Sequence, residues 1–156
     1  MSEFTSSTRN RLLQGLARQD AAALQSVLQH TQLDYGKVLY EGGQPIDFVY
    51  FPLTGVISMV KSMADGDAAE VGTVGNEGVV GLPVLVGEAP SGTSAHVQIP
   101  GEGLRMPARA FREAVSRSAP LQTLIQRYAF SLFNHVTQLA ACNRFTTSNS
   151  VPRAGC

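Results

Sequence analysis

The apolar positions of this chain change their period twice. Between Arg9 and His30 the residues Leu12, Leu13, Leu16, Ala17, Ala21, Leu24, Val27 and Leu28 recur mostly three and four apart. That spacing gives a helix one apolar face. A break near Gln19 predicts two short helices, with Asp20 placed to cap the second. From Gln32 the period shortens. Leu33, Tyr35, Val38 and Tyr40 predict short strands about a turn at Gly36, and Asp47 to Phe51 predicts an aromatic strand that Pro52 ends. Gly55–Lys61 and Glu70–Val74 pair across Asp65-Gly66-Asp67, because Asp-Gly supplies the positive φ of a tight hairpin. Val84–Val86, Ala95–Ile99 and Leu104–Met106 bring the total to about eight short strands separated by turns such as Glu41-Gly42-Gly43-Gln44-Pro45. Such a succession predicts an antiparallel roll or barrel.

After Pro107 the helical period returns. Ala108–Ser116 places Phe111 and Val115 on one face, and Pro120 suits the first turn of a further helix. Leu121, Leu124, Ile125, Tyr128, Leu132, Val136 and Leu139 then mark an amphipathic helix of about 25 residues, about 37 Å long. Within it Ile125, Tyr128, Leu132, Val136 and Leu139 keep near-heptad spacing, a seam that packs on the roll or on a second copy; the expectation here is a homodimer. The fold class is α+β, mainly β. Residues 1–8 form a flexible tail, 9–117 the roll with its flanking helices, and 118–145 the long helix.

Composition narrows the function. With 44% hydrophobic and 15% charged residues among 156, the chain has enough apolar surface to fold. Its net charge is zero and its basic residues are scattered, so no stripe for gripping nucleic acid exists. Cys142 and Cys156 alone build neither a disulfide framework nor a four-cysteine metal or iron–sulfur site. The polar N-terminus and the lack of 18 consecutive apolar residues predict no leader, no membrane association and a cytoplasmic location. His96 has no His partner and no carboxylate at a useful spacing, while His30 and His135 read as surface or interface residues; no metal site is expected. Motifs for nucleophilic, phosphate-loop or paired-carboxylate chemistry are missing, so the chain is not expected to be an enzyme. Arg105, Arg109 and Arg112 read as a solvated helix face.

One stretch stands out. Gly75, Gly78 and Gly81 punctuate Val74–Pro83, and Ser91-Gly92-Thr93-Ser94-Ala95 follows shortly after. Glycines behind a strand permit positive φ and expose amide groups that hold anions. The two segments form either a phosphate pocket or a pair of turns.

The order helix, roll, short helix, long helix, with Tyr35-Gly36, Glu41-Gly42, Phe51–Ser58, Val74–Pro83, Arg105–Phe111 and Ala140–Arg144 in sequence, resembles the effector domain of the Crp/Fnr family of bacterial transcription regulators. The resemblance covers residues 10–145. It implies a cyclic-nucleotide-binding-domain-like roll (a double-stranded β-helix) and a long helix that dimerises and passes a signal to a C-terminal helix-turn-helix. DNA would be bound only through that module, and control would be allosteric. Residues 146–156 depart from the family pattern, since Pro152 and Gly155 interrupt any helix. One allowed coding of Phe145–Cys156, shifted by a single inserted base, reads FHHVEQRAARWL, close to the family's usual continuation. A frameshifted tail without the DNA reader is therefore the expectation, against a cut or naturally short chain.

In nucleotide-binding members of the family a Gly-Glu pair holds the ribose, and an Arg followed by Ser/Thr and Ala holds the cyclic phosphate. The matching positions here are Gly81-Leu82 and Thr93-Ser94-Ala95. Losing the Arg alone costs on the order of 2–5 kcal/mol. Cyclic AMP and cyclic GMP are thus not expected, and no cofactor is assigned. An unknown small effector would meet Gly81, Leu82, Thr93, Ser94, Ala95 and, on the long helix, Thr137. The resulting expectation is the effector-sensing and dimerisation domain of a Crp/Fnr-type regulator. The alternatives are a cupin-like metalloenzyme, which lacks its His/Glu ligand set here, and a stand-alone dimerising module that forms mixed dimers with full-length partners.

Overall fold

The computed structural model describes residues 4, 7–87 and 91–148, with side chains as far as Cys142. Most of the expected tails, 1–8 and 146–156, lie outside the described residues. The elements in chain order are α1 (Arg11–Gln14), α2 (Arg18–Gln25), β1 (Gln29–Leu33), β2 (Val38–Tyr40), β3 (Phe48–Pro52), β4 (Val56–Ser62), β5 (Ala68–Val74), a 3₁₀ turn (Leu82–Val86), β6 (Ser94–Ile99), β7 (Gly101–Pro107), α3 (Ala108–Arg117) and α4 (Ala119–Ser148). The strands make two antiparallel sheets, one ordered β1-β7-β3 and the other β2-β6-β4-β5. Mainly antiparallel β structure with helices at both ends is what the periodicity predicts, and the α4 span of 30 residues corresponds to about 45 Å. No helix among the described residues is long and apolar enough to cross a membrane.

Strand β3 carries the two halves of the core. Val49 and Phe51 join the cluster under the helices, with Leu13, Leu24, Met106, Phe111, Leu121 and Ile125. Tyr50, between them, joins Leu33, Tyr40, Ile57, Val74, Val80, Ala95 and Val97 inside the roll. Alternation along a strand sends successive side chains to opposite faces, so a strand buried on both sides reads as an unbroken apolar run. Phe51 meets Phe111 of α3 edge to face, 6.1 Å between ring centres.

Three expectations are corrected. Val84–Val86 is not a strand but part of the 3₁₀ turn. Gly81 enters it at φ +114°, Pro83 has no N–H to give a ladder, and Val84 N–H donates to Gly81 O (3.1 Å). Asp20 is not a helix cap. It lies inside the first turn of α2, buried, and accepts from Ser118 Oγ (2.8 Å), which itself accepts from Leu121 N–H (3.2 Å) at the start of α4. Arg105 belongs to β7 and not to a helix face; its guanidinium lies 4.3 Å over the Phe48 ring, while Arg109 pairs with Glu113 (3.4 Å).

The glycine stretch is tied down by the N-terminal segment, which the sequence pattern gave no reason to single out. Asn10 is fully buried. Its amide donates to Pro52 O and to Gly78 O, both at 2.9 Å, and its Oδ1 accepts from Leu13 N–H (3.1 Å), capping α1. Arg11 N–H donates to Asn76 O (2.7 Å) and Asn76 Nδ2 donates to Arg9 O (3.2 Å). Replacing Asn10 by Ala removes the cap and strands two buried carbonyls, so Asn10→Ala lowers stability by about 2–4 kcal/mol in a urea titration, whereas Asn76→Ala costs under about 1 kcal/mol.

Candidate functional site

Gly81 turns the chain so sharply that a Cβ there would lie 2.9 Å from Val49 Cγ1. Past that turn, Leu82, Pro83, Leu85 and Val86 form one wall of a cavity of about 500 Å³. The floor comes from the roll through Tyr40, Met59, Val71, Val79 and Thr93, and the opposite wall from α4 through Ile125, Gln126, Ala129, Leu132, Phe133 and Val136. None of these lining side chains is charged. The polar exceptions are Tyr40, Thr93 and Gln126.

Tyr40 is buried and hydrogen-bonded to Thr93 and Ser91; burial pushes its phenol pKa up. Ser91 Oγ and Thr93 Oγ1 lie 3.2 Å apart, and Thr93 N–H donates to Ser91 Oγ (3.1 Å). Three hydroxyls therefore meet beside the cavity; Tyr40 and Thr93 line it, while Ser91 lines the neighbouring depression with Glu41 and Lys61. Neither Tyr40 nor Gln126 stood out in the sequence. Tyr40 looked like any aromatic strand residue, and only the pairing of β2 with β6 brings it beside Thr93.

Of the residues aligned with a family pocket, Gly81, Leu82 and Thr93 come together at the cavity. Ser94 does not line it. Its Oγ accepts from Gly42 N–H (2.9 Å) and donates to Glu41 Oε2 (3.2 Å), facing a separate depression that also contains Lys61. Ala95 is fully buried, opposite Tyr40 and Met59. Thr137 is exposed and donates to Asn134 O within α4 (2.9 Å); its neighbour Val136 reaches the cavity instead. Glu77 accepts from Gly75 N–H (2.9 Å) and lines a smaller cleft with Thr73, Tyr128 and His135.

The heptad seam of α4 is largely engaged within the chain. Ile125 is buried in the core, Leu132 packs against the roll cluster, and a Cβ at Gly72 of β5 would lie 3.2 Å from Val136 Cγ2. Leu139 is half-buried. Among the described side chains of α4, the large exposed apolar groups are Phe130 (67%) and Phe133 (63%), the latter also lining the cavity. Tyr128 links the helix to the glycine stretch. Its hydroxyl donates to Val79 O (3.2 Å), and its ring fills the space that any side chain at Gly78 would need.

Among the described residues no three His, Cys, Asp or Glu side chains converge as metal ligands would. His96 sits on β6 opposite Val38 and Ser58 with its Nε2 buried and unpartnered, and His30 lies 3.5 Å from Glu102 at the surface.

Burial raises the Tyr128 pKa well above the ordinary tyrosine range, and Tyr40 moves the same way. A group whose folded pKa is raised contributes stability that is intact below its unfolded pKa and lost as pH climbs toward the folded value. Stability is therefore flat for these two groups up to about pH 10 and falls above it. Urea midpoints taken from pH 8.5 to 11.5 show that fall, and Tyr128→Phe makes it shallower. At pH 8 the same variant loses about 1 kcal/mol for the missing bond to Val79.

Residues 30–118 match the family model of the cyclic nucleotide-binding domain. Among solved structures the chain is similar to the regulatory subunit of a cAMP-independent protein kinase A from Trypanosoma brucei, at 17% identity and TM-score 0.67, covering 81% of this chain and 45% of that one. It is similar also to the sensor domain of the transcriptional regulator DNR from Pseudomonas aeruginosa (16%, TM-score 0.63, 81% of this chain and 86% of that one). A third is the Thermus thermophilus catabolite activator protein (19%, TM-score 0.60, 88% of this chain and 63% of that one). The chain thus spans less than half of the kinase subunit's length. Among proteins with curated descriptions none matches this chain in sequence. The structural likenesses, at these identities, show a shared fold; the family model covers more than half of the chain, and the chain belongs to the cyclic nucleotide-binding domain family.

Proposed function

We propose that this chain is the effector-sensing and dimerisation domain of a Crp/Fnr-type transcription regulator, and that its effector is not a cyclic nucleotide. The observation that carries the reading is the uncharged lining of the cavity beside Gly81. A cyclic phosphate placed there would lose its hydration with no cation to replace it. Leu82 and Thr93 stand where the family's nucleotide binders carry Glu and Arg. A variant of the Trypanosoma brucei subunit with Glu-to-Ala, Thr-to-Arg and Val-to-Ala substitutions is bound to cAMP in its A site, so a Thr-to-Arg exchange is among the changes carried by that nucleotide-bound protein.

The role is regulatory, not catalytic. An effector between the 81–86 turn and α4 touches both the glycine stretch and the helix, so its occupancy biases the angle of α4. Tyr128, bonded to Val79 O, is the positioning residue that couples the two. Dimerisation proceeds along α4, with Phe130 and Phe133 covered by the second copy and Val136 and Leu139 at the margin. DNA is bound in the intact regulator by a further module, with the domain acting from a distance in the cytoplasm.

Two measurements check this. Differential scanning fluorimetry with cyclic AMP or cyclic GMP leaves the wild-type melting temperature unchanged, whereas Leu82→Glu with Thr93→Arg gains a nucleotide-dependent rise, since a ligand at about 100 times its Kd adds about 2.7 kcal/mol. A nucleotide shift in the wild type would overturn the reading. Native mass spectrometry shows a dimer that Phe130→Glu with Phe133→Glu converts to a folded monomer; a monomeric wild type sinks the dimerisation part.

A further inference from the structure

We infer that the cavity takes a neutral amphiphile: a mostly hydrocarbon body with one uncharged oxygen head group, such as a ketone, ester or alcohol. This rests on the cavity being the effector site. The volume of about 500 Å³ lies within the usual range for small-molecule sites. Its inner surface is almost wholly apolar, which favours a hydrocarbon body. Polar side chains enter at two places, the Gln126 amide on α4 and the hydroxyls of Tyr40 and Thr93, which Ser91 backs from the neighbouring depression.

The chemistry of that cluster selects the head group. Each hydroxyl donates one proton and accepts two, and its rotor turns to suit the partner. Thr93 N–H already occupies one acceptor site of Ser91. The cluster can therefore release one donor toward the cavity for a carbonyl, or accept from an alcohol, without leaving a buried group unpaired. A carboxylate or phosphate head would find no cation among the lining side chains, and an ammonium would find no carboxylate. The nearby charges of Glu41 and Lys61 face the separate depression beside Ser94. Val86, 83% exposed, belongs to the same lining, so a tail that runs outward from Tyr40 covers apolar surface now in water.

The test uses the whole chain and the neutral fluorophore N-phenyl-1-naphthylamine as reporter. We expect one reporter bound per chain, displaced by 2-undecanone and 1-decanol, with decanoate at pH 8 at least about tenfold weaker and cyclic AMP inert. Tyr40→Phe with Thr93→Val should raise the 2-undecanone Kd about tenfold while changing the reporter Kd less than twofold, and Ala129→Phe, which fills the cavity wall, should abolish both. Melting curves verify that each variant is folded. Decanoate competing as well as the ketone, or a ketone Kd indifferent to the double variant, overturns the head-group assignment and leaves the cavity as effector site standing. Reporter binding that survives Ala129→Phe but is lost in Phe130→Ser, a residue outside the lining, places the probe on the exposed helix face and overturns the inference. Displacement by cyclic AMP overturns the proposed function itself.

Discussion

The rest of the structure depends on how the backbone of Gly78-Val79-Val80 is held. Three partners from distant parts of the chain grip it. Asn10 donates to Gly78 O, Tyr128 donates to Val79 O, and Tyr50 exchanges two backbone bonds with Val80 at 2.8 and 3.0 Å. A buried carbonyl left without a donor costs about 1–3 kcal/mol, so none of the three grips is incidental. Together they fix where Gly81 turns, and hence where the 81–86 wall stands relative to α4. Gly78 is required for contact and not for conformation, because the Tyr128 ring occupies the place of its side chain. Gly81 is required for both, given its φ of +114° and the closeness of Val49.

The cavity combines a rigid backbone frame with an almost wholly apolar lining. The frame, meaning the glycine turn and the facing helix, is present. Leu82 and Thr93 line the cavity behind that turn, and none of the side chains lining it is charged. The polar remainder is the Tyr40 and Thr93 hydroxyls and the Gln126 amide, which offer donors and acceptors but no net charge.

Most of the fold was legible in the residues. Strand alternation, the Asp65-Gly66 hairpin and the long apolar stripe after Pro120 each reflect short-range rules. Val84–Val86 misled because a run of β-branched and aliphatic residues looks the same in a buried strand and in a turn; Gly81 and Pro83 decided the matter. Asp20 misled because capping residues also serve as buried acceptors, and its partner Ser118 is 98 positions away. The site was half legible. Gly81, Leu82 and Thr93 meet at one cavity, but Ser94 turns toward Glu41 and Gly42, and Thr137 lies on the outside of α4. Tyr40 and Asn10 owe their positions to pairing and packing across the chain, which no local pattern encodes.

The bond from Asp20 to Ser118 sets the start of α4 from a helix at the other end of the sequence. The helix is held again along the roll as far as Val136, so only its last 12 residues, 137–148, extend beyond the packed part. Over that overhang of about 18 Å, a rotation of about 5° at Val136 moves the tip by about 1.6 Å. The Asp20–Ser118 contact thus fixes where the helix starts, and the packing of Leu132 and Val136 on the roll fixes its direction.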